Sequence, residues 1–208
     1  MNESMKTLLN RRSVRSFRPE QLREEDLAAI LKAGTYAPSA MGKQPAVMVV
    51  VQDEATRSQL SQMNAAILGK PGTDPFYGAP TVVVVLSQGG CVVEDGSLVM
   101  GNLMNAAAAI GLGSCWINRA KEEFETEEGK ALLRQWGIEG DWVGIGHCIL
   151  GYPAADLPPA PPRKPGRVVP GVRPRAPDPE RDRNRKPYQH PTPHATSLGG
   201  AASRDEKD

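Results

Sequence analysis

The chain has 208 residues, 24% of them charged, with a formal net charge of +1 and three cysteines. That length suits one domain plus extra material, and a core of this size is stable without a metal or a disulfide. A charge so near balance gives no electrostatic case for nucleic acid or an anionic membrane as partner. The odd, widely spaced Cys91, Cys115 and Cys148 point to a reducing compartment rather than a zinc site or a disulfide frame.

In chain order, a short amphipathic helix is predicted over residues 2–9. It runs into Arg11-Arg12-Ser13-Val14-Arg15-Ser16-Phe17, where three arginines and a serine fall within five residues. A guanidinium presents a planar fork of donors that fits phosphate, and a serine hydroxyl adds one more, so the segment reads as an anion site. A charged surface turn is the alternative reading. Residues 24–33 show apolar positions at helical spacing after an acidic first turn, with Gly34 as the stop. Residues 46–51 form a β-branched strand, 56–68 a helix ending at Gly69, and 69–80 a turn-rich loop. Residues 81–86 form a strongly apolar strand and 95–110 a long helix. A strand over 114–117, a helix over 127–136 and a strand over 142–151 follow. Helices and strands interleave, but the strands are short and some links are long, which favours an α+β sandwich over a regular parallel sheet.

The helix predicted over 95–110 is apolar on most of its surface, as a buried helix is. Either it is the core of the domain, or one of its faces is covered by a second subunit. Cys115 and Cys148 sit in apolar runs and read as core residues. Composition breaks near Leu157: twelve of the nineteen prolines lie from Pro158 onward. The domain is therefore taken as 1–170. Residues 171–208, rich in Pro and Arg and poor in large apolar side chains, are read as a disordered or loosely draped tail. No secretory apolar region opens the chain, and no apolar run approaches the roughly 20 residues of a membrane span, so a cytoplasmic location is expected.

Five pieces in order resemble the FMN-dependent nitroreductase family. They are RRSVRSF at 11–17, APSAMGKQP at 37–45, DPFYGAP at 74–80, GLGSCWI at 111–117, and GIGHCILGYP at 144–153 followed by the basic residues around 163–167. The resemblance covers about residues 5–169. It implies an α+β nitroreductase-like fold with a mostly antiparallel central sheet flanked by helices. It also implies a homodimer with FMN at the subunit interface and NADH or NADPH as transient electron donor. Residue by residue, it assigns Arg11 and Ser13 to the phosphate with Arg12 nearby, and Arg15 to the pyrimidine edge of the ring. Reduction places negative charge on that edge, which a fixed guanidinium stabilises.

The resemblance further gives Pro38, Ser39, Ala40 and Met41 to the loop that reaches the flavin of the other subunit, with Gln44 beside it. Gly42 and Ala46 stand where the family often has Asn and an aromatic residue. Gly113 and Ser114 match a turn whose backbone approaches flavin N5; an ordinary helix-terminating glycine, Gly111 or Gly113, is the other explanation. Arg163, Lys164 and Arg167 resemble a basic cluster that closes over the phosphate, and Asn64 a polar residue near the ring.

No GxGxxG follows a strand and no phosphate-binding GxxxxGK[ST] is present, so neither a Rossmann nucleotide site nor a P-loop is expected. His147 reads as a packed core residue rather than a catalyst, and Glu94 and Asp95 as helix-capping acids. Nothing suggests a metal. The implied function is hydride transfer from NAD(P)H through FMN to an electron-poor small-molecule acceptor, nitroaromatic or quinone-like, by a ping-pong cycle. Two other readings stay open. One is different flavin chemistry on the same fold, such as dehalogenation, enone reduction or flavin breakdown. The other is a non-catalytic flavin-binding protein that recruits a partner through its PxxP spacings.

Overall fold

A computed structural model describes residues 1–171. The chain divides into a unit Met1–Pro162 and a second beginning at Arg163. In the second, the described residues are exposed and carry one turn at Pro165 and Gly166. The tail expected over 171–208 lies, apart from Gly171, outside the described residues.

The first unit is built on four strands, β1 (Val47–Val51), β2 (Thr81–Ser87), β3 (Gly113–Ile117) and β4 (Val143–Gly151), in the order β1-β2-β4-β3. All three pairings are antiparallel. Strand β2 is buried along its whole length, as its TVVVVLS sequence requires of a strand covered on both faces. Alternation sends its side chains both ways. Val82, Val84 and Leu86 join Leu60, Met63, Phe76 and Phe124 on one side. Val83 and Val85 join Ile30, Met100 and Leu103 on the other. The first layer carries helices α3 (Glu54–Ile67), α5 (Ala120–Glu125) and α6 (Glu127–Gln135); the second carries α2 (Glu24–Thr35) and α4 (Val92–Ala109). This is the expected α+β arrangement with an antiparallel sheet between helices. Among the described residues no helix is long and apolar enough to cross a membrane.

Several local expectations are corrected. Helix α2 does not stop at Gly34 but runs through it to Thr35. The glycine is there because a Cβ would lie 2.7 Å from the Met48 sulfur, so it permits close packing rather than termination. Helix α4 starts at Val92, and its N-cap Cys91 supplies no side-chain cap. Asp95 is therefore not a cap: it is buried, and one of its oxygens accepts the Ala40 N–H at 2.8 Å. The turn after α4 is made by Gly111, at φ 78°. Its N–H donates to Ala108 O, and the N–H of Leu112 donates to Ala107 O at 2.8 Å, the double bond pattern of a Schellman end.

Helix α4 is not buried all round either. Val99, Met100, Leu103 and Ala107 face the sheet, whereas Val93 and Leu98 are exposed. Helix α1 (Glu3–Asn10), capped by the Asn2 side chain, has no buried residue, and its Met5, Leu8 and Leu9 are exposed. Helix α5 has no counterpart in the sequence reading: six residues are too few for a helical period to register.

Candidate functional site

The arginine-serine segment leaves the end of α1 and runs along the outer edge of β3. Ser13 forms a parallel bridge with Ser114, and the N–H of Val14 donates to Ser114 O at 2.9 Å. Farther on, Phe17 bridges Pro153 and Arg18 N–H donates to Tyr152 O, which stitches the segment to the end of β4. Residues a hundred positions apart are thereby brought side by side: Arg11, Ser13, Gly113 and Ser114.

The polar atoms of this cluster are not all answered. Nη1 of Arg11 and Oγ of Ser114 are buried and have no hydrogen-bond partner, and Nε of Arg12 is in the same condition. A buried, unanswered donor costs about 1–3 kcal/mol, so such atoms together mark a place built for an acceptor. Arg12 divides its role: its Nη1 donates to Leu9 O at 3.0 Å and to Arg11 O at 2.7 Å, closing the carbonyl end of α1. Arg15 is exposed and makes no ion pair among the described residues. The neighbouring Cys148 thiol is pushed up to about 12 by burial and by Cys115, while the charge of Arg11 acts in the opposite direction.

Gly113 and Ser114 do not form a turn. They open β3, both are buried, and Gly113 pairs with Gly151. A Cβ on Gly113 would lie 3.0 Å from the Val14 side chain, so packing against Val14 explains the glycine. Their backbone thus lies at the start of an edge strand, with the Ser114 hydroxyl beside it.

A second group lies elsewhere. Pro38, Ser39 and Gln44 line a cleft of about 130 Å³ together with Gly34, Ala46, Met48, Asp95 and Val99. Ala40 and Met41 belong to the 3₁₀ turn Ala40–Gly42 above it. The loop is conformationally unusual: Met41, Gly42 and Gln44 have φ of 52°, 66° and 50°. For Met and Gln that left-handed region costs of order 1 kcal/mol each. The Gly42 departure is understandable here, since glycine and asparagine are the residues that best tolerate it. The walls of the cleft contain none of Arg11, Ser13, Gly113 or Ser114. The cleft is also far smaller than the roughly 300–1,000 Å³ of a cofactor-sized pocket. The two groups thus lie apart on the chain.

Asn64 joins neither group. It is fully buried on α3, where its amide donates to Asn118 O at 2.7 Å and to the Glu123 carboxylate. Glu123 in turn faces His147, Oε2 to Nε2, at 3.0 Å, and both are fully buried. The His147 ring lies 5.1 Å from that of Phe76. These residues hold α3, α5 and β4 together, so His147 is a core residue with a specific partner. The burial of Asn64 on α3 shows only once the helix is docked. Asp95 was missed as a site residue because an acid in the first turn of a helix needs no other explanation. Arg163, Lys164 and Arg167 lie in the second unit and are exposed.

Most of the chain is similar to known proteins. The model of the Nitroreductase family matches residues 8–76 and 70–152. A protein of Archaeoglobus fulgidus named "Putative NADH dehydrogenase/NAD(P)H nitroreductase" is 33% identical over 161 residues, 74% of this chain and 87% of that protein. A nitroreductase of Bacteroides fragilis, solved with bound FMN, superposes with a TM-score of 0.75 at 28% identity over 81% of this chain and 98% of that one. An FMN-bound nitroreductase of Desulfitobacterium hafniense gives 0.73 at 24% identity over 81% of this chain and 98% of that one, a likeness of fold. With the family model spanning most of the first unit and a one-third-identical relative covered nearly end to end, this chain belongs to the Nitroreductase family.

Proposed function

We propose that the chain is an FMN-dependent oxidoreductase that uses NADH or NADPH to reduce an electron-poor acceptor, nitroaromatic or quinone-like, as a homodimer. The observation that carries this reading is that Nη1 of Arg11 and the hydroxyl of Ser114, on segments joined by the Ser13–Ser114 bridge, are both buried and unpartnered among the described residues. A phosphate offers the acceptors both lack, so the residues present fit the FMN phosphate. Arg11, Ser13 and Ser114 would hold it, and Arg12 would fix the segment on α1.

The chemistry supplied by bound FMN is hydride relay at N5, from NAD(P)H to the acceptor in two half-reactions. Arg15, exposed and without an ion-pair partner among the described residues, would stabilise negative charge at the pyrimidine edge. Protons come from solvent. The second group, Pro38, Ser39, Ala40, Met41 and Gln44, meets the ring from the other protomer. Two features support this: the small cleft on one chain, and the exposed apolar side chains of α1 and α4, which a second copy would cover. The free cysteines suit a reducing cytoplasm.

The test is Arg11→Ala with FMN affinity measured by fluorescence quenching. The loss expected for a charge-assisted contact is about 1.5–3 kcal/mol. Unchanged affinity would overturn the assignment of the phosphate site.

A further inference from the structure

We infer that Asp95 is a positioning residue, acting through the amide of Ala40 to set the 39–44 loop over the reaction site. The inference rests on the reading of that loop as the part that meets the flavin of the other protomer.

Asp95 lies in the first turn of α4, is 5% exposed, and reaches across 55 residues of sequence to accept the Ala40 N–H at 2.8 Å. A carboxylate is well placed there because the helix N-terminus favours negative charge. Its position is also fixed. The next residue, Gly96, packs so closely on the sheet that a Cβ would stand 2.3 Å from Ile145 Cγ1. Asp95 is thus a rigid post projecting from the layer that covers the sheet.

The loop it holds has little else. Gly42 N–H donates to Ser39 O at 3.0 Å and Lys43 N–H to Ala40 O at 3.2 Å. Gln44 N–H donates to Ser39 Oγ at 2.9 Å. All three are internal to the loop. Among the hydrogen bonds of the described residues, the one to Asp95 is what ties residues 39–44 to another element. Yet this loop holds three left-handed residues within four positions, and Met41 stands 84% exposed, directed away from its own protomer. A disfavoured shape with one external tie relaxes when the tie is cut. The cluster of Arg11, Ser13 and Ser114 does not share this anchor. Loss of Asp95 should therefore disturb the acceptor more than the grip on the phosphate.

Three variants test this. Asp95→Ala removes the acceptor, and Asp95→Asn keeps an oxygen for the same bond. Ala40→Pro removes the donor from the loop side without touching the core. Proline is suited to that place because Ser39 before it is already extended, at φ −138° and ψ 158°. Amide hydrogen exchange is read on each protein with and without FMN, and NADPH-dependent reduction of 1,4-benzoquinone gives kcat and KM. The Ala40 amide should exchange at least about tenfold faster in Asp95→Ala than in the wild type and stay near the wild-type rate in Asp95→Asn. The quinone KM should rise by a similar factor, about tenfold, in Asp95→Ala and Ala40→Pro and recover in Asp95→Asn.

Equal Ala40 exchange in wild type and Asp95→Ala would overturn the anchor. Release of Ala40 with kcat and KM unchanged in both Asp95→Ala and Ala40→Pro would overturn its role in positioning. The reading beneath fails separately: FMN that binds yet leaves exchange of 39–44 unaltered in the wild type would remove the loop from the flavin, whatever Asp95 does.

Discussion

Arg11 and Ser114 each bury a polar atom that nothing in the described chain answers. Each such atom lowers stability by roughly 1–3 kcal/mol in the ligand-free protein, so an apolar replacement would fold as well or better. This separates the two roles of Ser114. Ser114→Ala is expected to leave the urea midpoint unchanged or slightly higher, since it deletes an unsatisfied hydroxyl. The same variant should bind FMN more weakly by about 1 kcal/mol, the worth of one hydrogen bond. A variant that loses stability but keeps FMN affinity would show the hydroxyl to be structural. Arg15 illustrates the opposite case, an exposed guanidinium with no ion-pair partner among the described residues.

Among the elements, α5 matters beyond its six residues. It brings Glu123 to His147 and Asn64 in the core, and it rests directly on β4. The seat is Gly144, where a Cβ would stand 2.2 Å from the backbone oxygen of Ala120. A backbone atom cannot rotate aside as a side chain can, so Gly144→Ala must push α5 away from the strand. Chemical denaturation should show a loss of about 2–3 kcal/mol, at the upper end for overpacking by one methyl group. A loss under about 0.5 kcal/mol would mean that α5 shifts freely. The same packing logic explains Gly34 and Gly96, which let α2 and α4 approach Met48 and Ile145.

At the scale of the whole molecule, α1 and α4 each carry exposed apolar side chains: Met5, Leu8 and Leu9 on the first, Val93 and Leu98 on the second. A lone apolar side chain at a surface is ordinary, but a group of them on two helices marks an interface. Leu98→Glu places a charge in that surface without entering the core. Sedimentation equilibrium at micromolar concentration should show a dimer for the wild type and a monomer for Leu98→Glu. FMN affinity should fall with dimer content, because the loop around Ser39 and the cluster around Arg11 then no longer meet. A monomeric wild type that binds FMN tightly would end the interface reading.

Much of this molecule can be read from local pattern. The β-branched run of β2, the period of α2 and α4, the glycine that ends α4 and the density of arginine at 11–15 are short-range signals, and the structure has them within a few residues of where the pattern puts them. The family, too, is carried by short motifs in order. What local pattern could not supply was the direction of a side chain whose environment comes from far along the chain. Asn64 looks like a polar residue available to a ligand until α3 docks and turns it onto Glu123. Asp95 looks like a helix-start acid until the loop at Ala40, 55 residues earlier, comes to lie over it. Gly113 looks like a turn residue until Val14 packs where its Cβ would be. Composition and period determine which segments are helix, strand and core, because those depend on near neighbours and on water. Which polar atoms are answered inside the fold, and which are left for a ligand, depends on pairs that only tertiary packing brings together.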